Sequence, residues 1–262
     1  MSKPKPVAGE RQSALASIIA DMIRADGPMP VGRYMALALG HERHGYYMGR
    51  DPFGRAGDFV TAPEVSQMFG ELIGLALAQS WLDQGRPTPF TLAEPGPGRG
   101  TLMTDLLRAA RAVPGFAEAA ELVLIEASPT LRARQEDTLR SYAPRWISGL
   151  ADLPDQPLFL VANEFFDALP VRQFLRDDGG WTERLVGLAD GGLAFGRGES
   201  GPFPALDHRL ADTRTGDLVE LCPAVAPMTA EIATRIAAHG GAALILDYGD
   251  WRSLGDTLQA LR

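Results

Sequence analysis

The chain has 262 residues, of which 45% are hydrophobic, and carries a formal net charge of −8. This length allows a substantial buried core, the negative charge argues against general affinity for nucleic acid, and no run of eighteen apolar residues predicts a membrane span. A single cysteine, Cys222, excludes an internal disulfide and fits a reducing compartment, which we take to be the cytoplasm, and the four histidines show no metal-ligand spacing.

The first part of the chain, residues 1–86, is predicted to be a helical region that precedes the main domain. Its amino terminus lacks the apolar segment of a secretory signal. Residues 10–25 place apolar side chains at helical spacing, and a second helix is predicted over 31–39. Residues 41–59 are rich in glycine, arginine and aromatic residues, which is typical of an ordered loop.

A longer helix is predicted to begin after Thr61. Thr61 and Glu64 match the two ends of a capping box, with Pro63 in the first turn. Helical spacing of apolar residues continues to about Trp81. The residues that we assign to the buried face are Val65, Met68, Phe69, Leu72, Ile73 and Ala76. Glu64 is therefore either a member of this cap or a catalytic acid.

A glycine-rich loop follows the first predicted strand of the sheet. A short apolar run ends in an acid, Glu94. Three glycines follow at alternate positions, Gly96, Gly98 and Gly100, and after Thr101 a helical pattern begins with Leu102. Such a strand, loop and helix form the nucleotide-binding edge of an α/β sheet. The dinucleotide spacing G-x-G-x-x-G is not present. The pattern resembles motif I of class I S-adenosylmethionine methyltransferases, in which these residues hold the amino-acid end of the cofactor.

A second acid follows the second predicted strand. The apolar run at 121–125 ends in Glu126, and a new helical pattern covers 130–139. In a βαβ unit, an acid at the tip of the second strand faces the crevice above the strand ends. There it can accept hydrogen bonds from both hydroxyls of a ribose and would repel a 2′-phosphate. We therefore expect Glu126 to bind the cofactor ribose.

The domain over 87–262 is predicted to be an α/β, doubly wound parallel sheet, because strands alternate with helices. Its remaining predicted elements are a weak third strand near 146–147, a fourth strand at 158–162, a hairpin insertion around 171–225, a helix at 227–239 and a fifth strand at 243–246.

Four blocks of the sequence together resemble the MidA family of methyltransferases that use S-adenosyl-L-methionine (SAM). They are GDFVTAPEVSQMFGE, AEPGPGRGTLMTDLLR, NEFFDALPVRQF and LILDYGD. The resemblance implies a Rossmann-like class I methyltransferase fold with an N-terminal helical region and a strand insertion. It also implies methyl transfer from SAM to a protein, with an arginine as the leading acceptor. The family includes the mitochondrial assembly factor that methylates a core subunit of respiratory complex I, so a complex I subunit and, in eukaryotic members, the mitochondrial matrix are implied.

The implied chemistry needs carboxylates near the end of the fourth strand. A guanidinium is protonated at neutral pH, and paired acids bind it and localise its charge away from the reacting nitrogen. Glu164 and Asp167 follow the fourth strand directly and are the expected catalytic acids, with Glu220 and Asp247 as further candidates. Asn163, at the strand tip, is expected to hydrogen-bond the cofactor or the substrate.

The carboxyl-terminal end departs from the family pattern. The class I sheet has seven strands, whereas thirteen residues follow Gly249, too few for a helix and two strands. We therefore expect the last strands to be missing and the fifth strand to be an open apolar edge. Such an edge invites pairing with another chain, including a second copy as a homodimer.

Three alternatives remain open from the sequence. The first is a SAM-binding assembly or chaperone protein in which catalysis is not essential. The second is a small-molecule methyltransferase whose acids hold an amine, and the third is a nicotinamide oxidoreductase. The glycine spacing argues against the oxidoreductase.

Overall fold

The computed structural model of the chain describes residues 14–48, 58, 61–247, 249 and 255–258. Contacts divide the chain into two compact units. The first is drawn from Met1–Gly45, Arg172–Glu220 and Leu254–Arg262, and the second from Tyr46–Val171 and Leu221–Ser253. The insertion that we predict around 171–225 thus falls largely in the first unit. The helix that we predict from Thr61 to about Trp81 falls in the second unit.

The first unit combines two helices with an antiparallel sheet. Its helices are α1 (Ala14–Asp26) and α2 (Val31–Gly40), in agreement with the two helices predicted from the sequence. Its strands are β1 (Met29–Pro30), β6 (Arg172–Asp177), β7 (Gly180–Ala189), β8 (Gly192–Gly201) and β9 (Leu218–Leu221). They follow the order β1-β7-β6-β9, and β8 pairs with β7. Ile19, Ile23 and Val186 belong to the core between α1 and β7.

The second unit is built on a parallel sheet of five strands. These are β2 (Phe90–Pro95), β3 (Ala120–Ile125), β4 (Arg145–Ile147), β5 (Leu158–Asn163) and β10 (Gly241–Leu246). Their order is β10-β5-β2-β3-β4, and each neighbouring pair of strands runs parallel. All six residues of β2 are buried, as expected for a central strand covered on both faces. The predicted doubly wound parallel sheet is confirmed.

Helices pack on both faces of this sheet. They are α3 (Ala62–Val65), α4 (Gln67–Asp83), α5 (Thr101–Ala110), α6 (Phe116–Ala119), α7 (Pro129–Leu139) and α8 (Val225–His239). One core joins α4 and α5 to sheet residues such as Leu92 and Phe159. The other joins Ile232 of α8 to Ala93 and Leu160 on the opposite face. No helix among the described residues has the length and apolarity needed to cross a membrane.

The long helix before β2 differs from its prediction in its limits and in its buried face. It is interrupted at Ser66, where the backbone is extended, so α3 and α4 are separate. The buried residues of α4 are Gly70, Ile73, Gly74, Leu77, Ala78 and Trp81. Val65, Met68 and Leu72, which we assign to the buried face, are more than 60% exposed.

The cause of this difference is a close contact between α4 and α5. A Cβ added at Gly74 would lie 2.5 Å from the carbonyl oxygen of Leu106, and one added at Gly70 would lie 3.0 Å from that of Leu102. The two glycines therefore let the helix backbones approach each other. This contact sets the rotation of α4, because the helix is apolar around much of its surface and hydrophobicity alone does not select one face.

Candidate functional site

The crevice of the second unit lies at the carboxyl ends of its parallel strands. The chain passes from β2 to β3 on one side of the sheet, and β5 lies on the other side of β2. Strand order reverses between β2 and β5, and ligands of open α/β sheets bind at such a switch point. The topology therefore predicts a ligand site among the residues at the carboxyl ends of β2, β3, β5 and β10.

The glycine loop occupies the turn between β2 and α5. Gly96 has φ +61° and lies so close to Phe165 that an added Cβ would be 2.8 Å from the ring. Gly100 has φ +81° and caps the first turn of α5, which begins at Thr101. Gly98 lies between them with φ +53°. All three glycines adopt left-handed backbone, where a side chain would be strained.

Glu94 is a buried acid at the end of β2. Its side chain is 3% exposed, and its Oε2 atom has no hydrogen-bond partner among the described residues. Burial raises the pKa of this carboxyl from 4.5 to about 8. An unpaired buried carboxyl costs free energy unless it is neutral or meets a cation. This atom therefore fits a cationic ligand at the glycine loop.

Glu126 lies just beyond the end of β3 and accepts hydrogen bonds from three donors, one of which is the Ala127 N–H. Its Oε1 accepts from the Ser128 N–H at 2.8 Å, and its Oε2 accepts from Gln135 Nε2 at 3.1 Å. Burial raises the pKa of Glu126, and these hydrogen bonds oppose the shift. A carboxylate has about four acceptor positions, so these hydrogen bonds leave acceptor capacity for the cofactor ribose.

Gln135 connects Glu126 to the glycine loop. It is fully buried, and its Nε2 donates to the Gly98 carbonyl at 2.7 Å as well as to Glu126. Its Oε1 accepts from Trp146 Nε1 at 2.8 Å, which fixes the orientation of the amide. Gln135 is not predicted as a site residue from the sequence, because one glutamine in a polar helix matches no motif. Its burial is visible only in the structure.

The segment after β5 begins with a strained residue. Glu164 has φ +49°, a left-handed conformation that is uncommon for a side-chain-bearing residue, and such strain is frequent at functional sites. Its backbone N–H donates to Leu246 at the end of β10, at 2.8 Å. Its carboxylate accepts from the Ala62 N–H and from the side chain of Asn163.

Two further acids lie near Glu164. Burial raises the pKa of Glu164, and the negative charges of Asp167 and Asp247 raise it further, against the hydrogen bonds that lower it. The Asp167 N–H donates to Asp247 Oδ2 at 3.1 Å, so β5 and β10 bring these acids together. Three of the four acids predicted for the acceptor thus lie in one cluster. The fourth, Glu220, belongs to the first unit, where it accepts from Gln173 at 2.8 Å.

Tyr47 and Met48 lie close to this edge of the sheet. The pKa of Tyr47 is raised by burial and by the charge of Asp167. The Met48 carbonyl accepts from Thr130 at the start of α7, at 3.4 Å. This short segment therefore meets residues that follow both β3 and β5. The rest of the loop predicted over 41–59 lies largely outside the described residues.

Glu64 does not form the predicted capping box. Thr61 makes no side-chain cap hydrogen bond, although a proline does stand in the first turn of α3. Glu64 Oε1 instead accepts from the Thr101 hydroxyl at 2.7 Å, and its Oε2 lies 3.7 Å from Arg99. Glu64 does not cap its own helix because its carboxylate is held by Thr101 and Arg99 at the glycine loop, and one carboxylate cannot face both the loop and the start of α3.

The acids around this crevice favour one kind of ligand. Four acids lie at the carboxyl ends of four neighbouring strands, namely Glu94, Glu126, Glu164 and Asp247, whereas the nearby Arg99 is paired with Glu64. Such a crevice attracts a cation and a free ribose diol and repels a pyrophosphate. No group of three or more potential ligands among the described residues is arranged to hold a metal ion.

Comparisons with known proteins agree with this geometry. The sequence matches the model of a family described as S-adenosyl-L-methionine-dependent methyltransferase over residues 72–262. It is 34% identical to the protein arginine methyltransferase NDUFAF7, mitochondrial, of Xenopus tropicalis, over 95% of this chain and 64% of that protein. It is 36% identical to the Homo sapiens protein of the same name, over 90% of this chain and 59% of that protein.

A solved structure is similar over most of the chain. It is a Burkholderia thailandensis protein crystallised with S-adenosyl-homocysteine, with a TM-score of 0.76 and 34% identity, over 95% of this chain and 66% of that one. The chain therefore spans less than two thirds of the length of these proteins.

Proposed function

Because this chain belongs to the family of S-adenosyl-L-methionine-dependent methyltransferases, we propose that it transfers a methyl group from SAM to an arginine side chain of a protein. We further propose that the acceptor is a subunit of respiratory complex I and that the reaction takes place in the cytoplasm. The names of the NDUFAF7 relatives support an arginine acceptor. The observation that carries the proposal is the unpartnered, buried carboxyl of Glu94 beside the glycine loop.

The cofactor site is formed by residues after β2 and β3. The methyl carbon of SAM is made electrophilic by its own sulfonium, so the protein has to orient the reactants and exclude water. Glu94 and the loop of Gly96, Gly98 and Gly100 receive the amino-acid end of SAM, and Glu94 pairs with its ammonium group. Glu126, held by Gln135, accepts the ribose hydroxyls. Thr101 contributes to the cofactor site by donating a hydrogen bond to Glu64, which stabilises the end of the glycine loop.

The acceptor site is formed by the acids after β5 and β10. Glu164, Asp167 and Asp247 interact through their charges, and a guanidinium bound among them would relieve their mutual repulsion. Carboxylates hold the guanidinium in fork geometry and leave one nitrogen facing the methyl carbon. Asn163 orients Glu164 through a side-chain hydrogen bond. Glu64 acts as a positioning residue of the glycine loop rather than as an acid of the reaction.

The acceptor is identified by methyl transfer in a lysate. Lysate from cells that lack this chain is incubated with purified protein and methyl-labelled SAM, and labelled peptides are sequenced by mass spectrometry. We expect label on an arginine of one protein. Glu164→Gln should reduce the label about a hundredfold, because it removes a charge that pairs with the guanidinium. Glu136→Gln, an exposed glutamate on α7, is the matched control and should retain full labelling.

Other outcomes separate the alternatives. Label that appears only in small molecules contradicts the protein acceptor and favours a small-molecule methyltransferase. If no label is transferred but the protein binds SAM and captures a partner from the lysate, the SAM-binding assembly protein is correct. Equal labelling by wild type and Glu164→Gln would contradict the role of Glu164.

A further inference from the structure

Glu94 differs from the other acids of the crevice in having no partner for one oxygen. Glu126 accepts from three donors and Glu164 from two, and Glu64 accepts from Thr101 while it pairs with Arg99. Glu94 is 97% buried, since its exposed fraction is 3%, and its Oε2 accepts from no described residue. An ionised carboxylate in that position lacks compensation, and its free energy is lowest when it carries a proton.

We propose that Glu94 is a carboxylic acid in the free protein and releases its proton to solvent when the ammonium group of the cofactor binds. The O–H bond of the carboxyl breaks, the proton passes to a buffer base, and the carboxylate becomes the counter-ion of the ammonium. Cofactor binding is thereby coupled to the release of one proton. This inference rests on the proposed function, because it requires SAM as the ligand.

Charged groups on the elements packed against this end of β2 do not replace the cofactor as counter-ion. The nearby guanidinium groups already have acidic partners, since Arg108 on α5 pairs with Asp105 at 2.7 Å and Arg99 in the glycine loop lies 3.7 Å from Glu64. After β3, Glu126 is bound by Ser128 and Gln135, and after β5, Glu164 is bound by the Ala62 N–H. Burial raises the pKa of Glu94, because it removes water from the carboxylate and no neighbouring positive charge replaces that water.

The pH dependence of binding follows from this assignment. With a pKa of about 8 in the free protein, Glu94 is almost fully protonated at pH 6.5. The proton must leave before the ammonium is held, so cofactor affinity should rise about tenfold per pH unit between about pH 5.5 and 7 and level off above pH 8. The effect belongs to ligands that carry the amino group. A ligand that has the adenosine but lacks the amino acid should bind without releasing this proton.

Isothermal titration calorimetry tests the coupling. S-adenosylhomocysteine and 5′-methylthioadenosine are titrated into the whole chain at pH 6.5, each in phosphate and in imidazole, whose ionisation enthalpies differ. The dependence of the heat on buffer counts the protons released. We expect about one proton with S-adenosylhomocysteine and close to none with 5′-methylthioadenosine. Equal release with both ligands, or none with S-adenosylhomocysteine, would overturn the inference.

Variants provide a second readout. Glu94→Gln should bind S-adenosylhomocysteine without proton release and with an affinity that no longer changes between pH 5.5 and 7. Glu136→Gln should behave as wild type. Proton release that persists in Glu94→Gln refutes the assignment. If Glu94→Gln does not fold, the comparison of the two ligands on wild type still decides. Failure of folded wild type to bind S-adenosylhomocysteine contradicts the proposed function itself, whereas binding without proton release contradicts only this inference.

Discussion

At the scale of single residues, Glu94 also has a consequence for the stability of the protein without cofactor. Its pKa is about 8 in the fold and near its ordinary value of 4.5 in the unfolded chain. The folded state therefore binds the proton more tightly. The stabilisation is fully present below pH 4.5 and is lost as the pH rises through 8. Glu126 and Glu164 have raised pKa values and act in the same direction.

We predict that Glu94→Gln removes much of this pH dependence. The free energy of unfolding of the unliganded wild type should fall by a few kcal/mol between pH 5 and pH 9. The variant should lose less, because the amide does not ionise. Urea unfolding at pH 5, 7 and 9 measures both proteins. Parallel curves for wild type and Glu94→Gln would show that Glu94 is not a buried acid in solution.

The sequence predicts part of this site well. Each of the acids Glu94, Glu126 and Glu164 stands at the end of a strand. Because the carboxyl ends of parallel strands meet at one edge of a sheet, the positions of these acids follow from the chain order. Gln135 and Tyr47 could not be predicted, because each contacts the crevice through tertiary packing that no local pattern records. For Glu64, the local capping pattern is present in the sequence, but the side chain binds Thr101, 37 residues further along, instead of capping its own helix.

At the scale of elements, α4 shows where hydrophobic periodicity fails. Its two glycines against α5 decide which face is buried, and this close approach depends on residues some thirty positions away. The stripe Val65, Met68, Leu72 and Leu75 is exposed as a result. A pattern read from α4 alone cannot distinguish the two apolar faces.

Two leucines on opposite faces of α4 test the observed rotation. Leu77 is 1% exposed and Leu72 is 61% exposed. Leu77→Ala should lower the free energy of unfolding by about 2–5 kcal/mol, because it leaves a cavity in the core. Leu72→Ala should change it by less than about 1 kcal/mol. Chemical unfolding of the two variants provides the comparison, and equal losses would contradict the rotation of α4.

At the scale of the whole molecule, the parallel sheet was predictable and the grouping of the chain was not. Alternating strands and helices predict that β2, β3, β4, β5 and β10 form a parallel sheet, because each crossover is a local unit. The strand β1 has two residues and pairs with β7, more than 150 residues further along. Such a pairing leaves no periodic signal in the sequence. It joins the N-terminal helices to the inserted strands in one unit.

The most direct test of the account is equilibrium dialysis of the folded chain against labelled SAM. We predict that the protein retains SAM, that S-adenosylhomocysteine displaces it, and that NADH does not. Glu126→Ala should weaken retention about tenfold or more, since it removes the acceptor of two ribose hydrogen bonds, while Glu136→Ala should not. Folded protein that retains no SAM, or that releases it to NADH, would contradict the claim that this crevice binds SAM.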